Sequence, residues 1–261
     1  MKTRFTLLFV SLASLLTLFT ACRKEMDVPN KDEVSGTPLP GQPTYCRIES
    51  LWENPHAAGQ RFFLVLYNEF ENPTAVTIPF VSTGHPYRTF KYDGWHRLKE
   101  YRGEYGNGNF EFWHFYGFDN NGRIGVDTNY VLGTLSDKPR NYFDRIISQI
   151  QYDAQGRIVR VSSTNMSGGH SENTYTYDAR GNLVYPGVTY DNKLNLNRTN
   201  DIWMFLNRDY SMNNPFFADA YNAAGYPTVI NTTSPSPSML WLSEVDLHHS
   251  QIGYGCRESH W

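Results

Sequence analysis

The sequence predicts an all-β fold, an antiparallel meander of roughly a dozen strands that is strongly curved or closed into a barrel-like sheet. The chain of 261 residues contains 18 Tyr and 16 Phe, which favour pleated, half-buried surfaces. A turn motif that begins with an aromatic residue followed by Asp recurs along the chain. No long stretch after residue 21 keeps a helical period.

Residues 1–21 are typical of a secretory signal peptide. They begin with two basic residues, and the apolar run over 5–19 is shorter than the roughly twenty residues that a membrane span needs. The segment that ends at Cys22, FTAC, resembles the bacterial lipobox, in which diacylglycerol is attached to the cysteine and the chain is cleaved before it. Cys22 is therefore the predicted lipidation site. The alternative is an ordinary cleaved signal followed by an unrelated cysteine.

The lipid anchor is expected to hold the protein on a membrane through a tether. Residues 22–44 are charged and then rich in Pro and Gly, which predicts a flexible linker, and a single β domain follows over 45–261. Arg23 follows the cysteine, so nothing here resembles an inner-membrane retention signal. We therefore expect an outer-membrane lipoprotein, with the periplasmic and the surface-exposed side both left open.

Charge and cysteine content limit the partners and the compartment. The 23 basic and 26 acidic residues are interspersed, so no basic stripe predicts a nucleic-acid partner. Cys46 and Cys256 lie near the two ends of the body, and an exported protein meets oxidising conditions that allow a disulfide. Such a bond requires the first and last strands to be neighbours. The alternative is two buried free thiols.

Strands are predicted near 45–49, over 61–70 and over 75–81, and the repeat follows them. In each copy an aromatic residue ends a strand, and Asp or Asn can accept backbone N–H bonds two residues on. Gly then takes positive φ, and an apolar residue starts the next strand, so each copy predicts a hairpin; the first copy is imperfect, and the copy at 190–194 lacks the glycine. The six copies span 92–98, 118–124, 152–161, 177–184, 190–194 and 221–227.

Secondary structure is also predicted for three further segments. Alternation places His114 on one strand face with several aromatic residues, while Trp113 lies on the other face. Residues 200–214 are expected to form a short helix, capped by Asn200 or Thr199, or a folded loop. Residues 239–256 predict one or two closing strands.

The copy at 152–158, YDAQGRI, resembles the YD repeat of Rhs-type proteins. Together with the lipobox, residues 45–256 also resemble uncharacterised lipoproteins of Gram-negative bacteria that have a porin-like β fold. The resemblance implies a fold and a cellular location, and it implies no catalytic residues. Glu111, Arg160 and Asp246 lie inside expected strands, where lipid would reject a charge. We therefore expect a soluble sheet rather than a membrane-spanning one.

Tryptophans are the candidate ligand-binding residues. Trp95, Trp113 and Trp203 can stack on sugar rings or line an apolar cavity, although a core position explains each of them as well. Asp246, His248 and His249 form the densest possible metal group, but surface histidines explain them more simply. No catalytic, phosphate-binding or zinc motif occurs, so no catalytic residue, metal or cofactor is predicted.

The leading hypothesis is a non-enzymatic, lipid-anchored binding or structural module that takes a glycan or a hydrophobic small molecule, with its oligomeric state left open. One alternative is a carbohydrate-active hydrolase, which needs two carboxylates about 5–10 Å apart. Another is an envelope-assembly or partner-docking protein, which a large exposed apolar patch would favour.

Overall fold

The computed structural model describes residues 45–55, 60–232, 241–243 and 245–257. The predicted signal peptide, the lipidation site Cys22 and the tether over 22–44 lie outside the described residues. Within the described part the chain is all-β, with a 13-stranded antiparallel sheet and a separate two-stranded hairpin, so the predicted fold class is confirmed. No helix in this part is both long and apolar enough to cross a membrane.

Fifteen strands and two short helices make up these residues. The first seven strands are β1 Tyr45–Glu53, β2 Arg61–Tyr67, β3 Pro73–Thr77, β4 Tyr87–Tyr92, β5 Leu98–Glu104, β6 Asn109–Phe118 and β7 Ile124–Thr134. The next five are β8 Asp144–Tyr152, β9 Ile158–Thr164, β10 His170–Thr174, β11 Ala220–Tyr221 and β12 Pro227–Asn231. The last three are β13 Trp241–Leu242, β14 Val245–Asp246 and β15 His249–Arg257. The helices are a 3₁₀ helix, Leu196–Thr199, and α1, Asp201–Asn207.

The sheet is a meander of ten strands, and further strands are added at the free edge of its first strand. Strands β1 to β10 pair with their sequence neighbours, and the other edge of β1 pairs with β15, which is followed by β12 and β11. Among the described strands, β10 and β11 are the two edges, so the sheet is open rather than closed. Strong curvature stays a prediction.

The repeat forms hairpin turns by the expected hydrogen bonds. In the clearest copy, one carboxylate oxygen of Asp153 accepts the N–H groups of Gln155 and Arg157, at 3.0 and 2.9 Å. The Asp153 N–H donates to the carbonyl of Arg157, and the Gly156 N–H donates to the carbonyl of Asp153. Gly156 has φ 76°, which L side chains rarely adopt. These bonds all lie within five residues, so the motif specifies the turn locally.

The turn occurs more widely than the motif, and it is missing from one copy. Asn68 makes the same bonds after β2, which therefore ends at Tyr67 and not at residue 70 as predicted. Glu71 takes the positive φ there, and His96 takes it in the first copy, where histidine stands at the position that glycine holds in other copies. The copy at 190–194 is not a hairpin. That prediction is wrong because the Asp191 and Asn195 N–H groups donate to the distant carbonyls of Asn214 and Met212, although buried Asp191 still accepts the Lys193 N–H.

Successive turns are linked through arginine and aromatic side chains. The Arg157 guanidinium pairs with Asp153 of its own turn and lies 4.1 Å from the ring centre of Tyr177 in the next turn. Arg123 lies over Tyr152 in the same way, at 4.6 Å. The Tyr152 hydroxyl donates to the carbonyl of Ile124, the first residue of β7. Each turn is therefore held to its neighbour by a cation–π contact or a hydrogen bond as well as by strand pairing.

One face of the sheet carries the main core and is covered by the short helices and the β13–β14 hairpin. Helix α1 begins where the sequence predicts, since the Asn200 side chain accepts the Ile202 N–H at 2.9 Å. Trp203 of this helix is fully buried and meets Phe90 of β4 edge-on, at 5.8 Å between ring centres. The hairpin adds Leu242 to this core. The covering elements enclose the cavity described next.

Candidate ligand-binding cavity

A cavity of about 550 Å³ lies on the helix-covered face of the sheet. That volume falls within the range of small-molecule sites in proteins, about 300–1,000 Å³. Strands β5 to β8 form one wall, and the end of α1 and the tip of the β13–β14 hairpin form the other. The lining residues are Tyr101, His114, Tyr116, Asp127, Ile150, Phe205, Leu206, Asn207, Arg208 and Ser243.

Strand register builds the sheet wall of this cavity. Tyr101 on β5 stands opposite His114 on β6, and Tyr116 on β6 stands opposite Asp127 on β7. Residues opposite each other in an antiparallel pair project from the same face. The His114 ring is stacked between those of Tyr101 and Tyr116, at 5.6 and 5.9 Å between centres. An aromatic surface interrupted by one imidazole therefore faces the cavity.

His114 is oriented by Asp127. Its Nδ1 lies 2.8 and 3.1 Å from the two carboxylate oxygens of Asp127, which is only 6% exposed. A carboxylate bonded to one ring nitrogen fixes the orientation of the imidazole. Nε2 is consequently on the side of the ring away from Asp127, where it can exchange hydrogen bonds with a bound molecule.

The opposite wall contributes Arg208 and Ser243, and both have backbones in the left-handed region. Arg208 ends α1 with φ 53° and ψ 32°, and its N–H donates to the carbonyls of Met204 and Phe205. Ser243 has φ 49° in the tight β13–β14 connection, and its hydroxyl oxygen lies 2.8 Å from that of Tyr101. Among the described residues, no carboxylate lies within ion-pair distance of the Arg208 guanidinium.

The three candidate tryptophans do not converge on this cavity. Trp95 is 78% exposed in the first repeat turn, with Arg97 lying 4.9 Å from its ring centre. Trp113 is buried on the face opposite to His114, and its indole N–H donates to Glu100 at 3.2 Å. Trp203 is fully buried in the core. None of the three lines the cavity.

The candidate metal residues form a pair rather than a cluster. Asp246 Oδ1 lies 2.5 Å from His248 Nδ1, and His249 begins the next strand as an exposed residue. Within the described ranges, no group of three or more His, Cys, Asp or Glu side chains is arranged to hold a metal ion.

The two body cysteines are brought together. Cys46 on β1 stands directly opposite Cys256 on β15, and a disulfide joins them with an S–S distance of 2.10 Å. The pairing of the first and last strands, which such a bond requires, is thus present. Cys22 lies outside the described residues.

Sequence reasoning missed the residues that define the cavity. A signal for His114 was present, because this one imidazole interrupts an aromatic row on a strand face. Asp127 gave a weaker signal as an acid within an apolar strand. Arg208 and Ser243 gave none, because each reaches the cavity only through the packing of α1 and the β13–β14 hairpin on the sheet.

Comparisons with known proteins give little further information. No protein-family model matches the chain, and no curated protein matches it. The crystal structure of TcdB2-TccC3-Cdc42 aligns with 53% of this chain and with 8% of that chain, at 12% sequence identity and a TM-score of 0.21. A likeness of that strength carries no argument about fold or function.

Proposed function

We propose that this protein is a lipid-anchored, non-enzymatic binding module of the bacterial cell envelope, and that the cavity beside His114 holds its ligand. The observation that carries the proposal is the cavity itself, which has the volume of a ligand site and combines aromatic rings with polar groups. Its imidazole is held by a buried carboxylate, so part of the wall is already oriented before any ligand binds.

The lining favours a glycan over a purely apolar ligand. Tyr101 and Tyr116 offer ring faces for the C–H surface of a sugar. The Asn207 side-chain oxygen and the Arg208 guanidinium offer an acceptor and donors for its hydroxyl groups. A purely hydrophobic molecule would bury the Arg208 guanidinium without a partner, which costs free energy. Ile150 and Leu206 supply a smaller apolar part of the wall.

The test combines a glycan array with mass spectrometry of lipids extracted from the purified protein. A glycan bound by the wild-type chain and lost on His114→Phe, which removes the polar ring nitrogens, supports the proposal. His170→Phe on exposed β10 is the matched control and should bind normally. A co-purifying lipid in place of a glycan would favour the hydrophobic ligand. Silence in both assays contradicts a binding function.

The anchor is tested separately. We expect Cys22→Ser to abolish the mass increase caused by lipid and to release the protein from the membrane fraction. Two or three acyl chains anchor a protein stably, whereas one chain binds only marginally. Unchanged mass and fractionation would show that Cys22 is an unmodified residue after an ordinary signal peptide.

The hydrolase alternative receives no support from this cavity. Glycoside hydrolysis requires two carboxyl groups flanking the bond that is cleaved. Asp127 is the single carboxylate among the described lining residues, and both of its oxygens lie within 3.1 Å of His114.

A further inference from the structure

We infer that the ligand of this cavity is an acidic sugar, whose carboxylate pairs with the Arg208 guanidinium. The inference rests on the proposed binding function and specifies its chemical class. Arg208 is the one Lys or Arg residue among the described residues that line the cavity. Its side chain adds a fixed positive charge to a wall that is otherwise aromatic, aliphatic or hydrogen-bonding.

The arginines of the repeat turns show what Arg208 lacks. Arg97, Arg123 and Arg157 are partly buried, and each pairs with an aspartate four residues before it, at 2.6 to 2.9 Å. Arg208 is also partly buried, yet within the described part of the chain it forms no ion pair. A guanidinium presents a planar fork of donors that matches a carboxylate in two parallel bonds. A ligand carboxylate would give Arg208 the partner that the turn arginines have within the chain.

The one carboxylate in the lining does not fill that role. Asp127 directs both oxygens to His114 Nδ1 and is almost completely buried. The Asp127 carboxylate therefore pairs with the imidazole, and the Arg208 guanidinium can pair with the carboxylate of a ligand. The Asn207 amide nitrogen already donates to Asn197 Oδ1 at 2.6 Å, so His114 Nε2 and the Asn207 side-chain oxygen would bind the hydroxyl groups of the same sugar.

Backbone conformation at Arg208 agrees with a role for its side chain. The position after a helix that turns left-handed is most often glycine, because a Cβ atom strains that conformation. Arg208 occupies it with φ 53°. At the C-terminal end of a helix a cation also interacts favourably with the last carbonyls.

The experiment measures binding of two matched probes to the full-length protein in detergent micelles by calorimetry. One probe is an oligomer of galacturonic acid, and the other is the same oligomer after its carboxyl groups have been reduced to alcohols. We expect the acidic oligomer to bind at least about tenfold more tightly, as a charge-assisted hydrogen-bond pair implies. Arg208→Gln should remove this preference, and Arg140→Gln on an exposed loop should leave it intact.

Three outcomes would overturn the inference in different ways. Equal binding of both oligomers, unchanged by Arg208→Gln, leaves the binding function standing and refutes the acidic ligand. Binding only of a sulfated or phosphorylated oligomer refutes the carboxylate. Failure of every glycan refutes the proposed function as well. If Arg208→Gln does not fold, Arg208→Lys keeps the charge without the planar fork, and it should retain the preference for the acidic oligomer at reduced affinity.

Discussion

The repeat turns and the irregular segment over 184–219 both depend on aspartate, but they satisfy its carboxylate in opposite ways. In the turns, Asp153 is partly exposed and is paired with Arg157, four residues away. In the irregular segment, Asp209 is 4% exposed and has no arginine or lysine within ion-pair distance among the described residues. The position of the carboxylate relative to solvent decides which partner it takes.

Neutral amides surround the buried carboxylates. Asp209 accepts the side-chain amides of Asn195 and Asn197 at 3.0 and 3.2 Å, and the Ser211 N–H at 2.9 Å. Asp191 accepts the side-chain amide of Asn214, at 3.0 Å, together with bonds from backbone N–H groups and a tyrosine hydroxyl. Amide donors satisfy a buried carboxylate without the desolvation of a second charge. The irregular segment therefore relies on a long-range network where the turns rely on local pairs.

The largest expected effect comes from the bond that joins the two parts. The Cys46–Cys256 disulfide links the first strand of the meander to β15, which follows the irregular segment, over a separation of 210 residues. In the chain-entropy model a loop of this length contributes about 5 kcal/mol to the free energy of unfolding. We expect the Cys46→Ser, Cys256→Ser double variant to lose that amount in urea unfolding. The same loss should follow from adding reductant to the wild type.

Non-reducing peptide mapping provides the control for this experiment. A peptide pair that contains Cys46 and Cys256 should disappear on reduction. Two free thiols in the native protein, with stability unaffected by reductant, would contradict the bond.

The next effect is loss of the buried network. Asp209→Ala leaves three buried donors without an acceptor, and each such donor costs about 1–3 kcal/mol, so we expect a loss of about 3 kcal/mol or more. Asp209→Asn keeps the shape and one carbonyl oxygen and should cost less. Urea unfolding of both variants measures the difference. A loss below that of the turn variant described next would show that the network is not what holds this segment.

Replacing a single turn aspartate should lower the free energy of unfolding by less than replacing Asp209. Asp153→Ala removes two bonds to backbone N–H groups and one partly exposed ion pair, so we expect a loss of about 1–2 kcal/mol. Arg157→Ala tests the ion pair and the contact with Tyr177 while leaving the backbone bonds in place. If both variants cost as much as Asp209→Ala, the contrast between local and long-range carboxylates is wrong.

The smallest expected effect is a pH dependence of the free energy of unfolding, which arises from the aspartates of the repeat turns. Burial tends to raise the pKa of Asp153, but hydrogen bonds from the backbone and side chain of Arg157 outweigh it and lower the pKa. The pKa of Asp119 is lowered in the same way, because the hydrogen bonds from Arg123 outweigh the effect of burial. A carboxyl group with a lowered folded-state pKa stabilises the fold above its unfolded pKa, about 3.9, and this stabilisation is lost as the pH falls further.

We therefore expect the stability difference between wild type and Asp153→Asn to shrink as the pH falls from about 5 to about 3. Urea unfolding at several pH values measures it. A constant difference across this range would contradict the lowered pKa.

Much of the fold is predictable because its rules are local. The turn at Asp153 uses bonds within five residues, and the start of α1 depends on Asn200 and the next few N–H groups. The same logic failed for the copy at 190–194. Asp191 accepts the Lys193 N–H as in the other turns, but the Asp191 and Asn195 N–H groups donate to the carbonyls of Asn214 and Met212. Local chemistry therefore predicts a hairpin only where the backbone groups on the two sides of the turn bond to each other.

The sequence by itself determined the strand-and-turn alternation and the all-β class, because aromatic strands and Asx turns are specified by neighbours along the chain. Only the tertiary structure decided the cavity. His114 and Asp127 meet through the pairing of β6 with β7, and Arg208 lines the same cavity because α1 packs on the sheet. These contacts join residues from separate elements, so they depend on strand register and core packing, which no local pattern encodes.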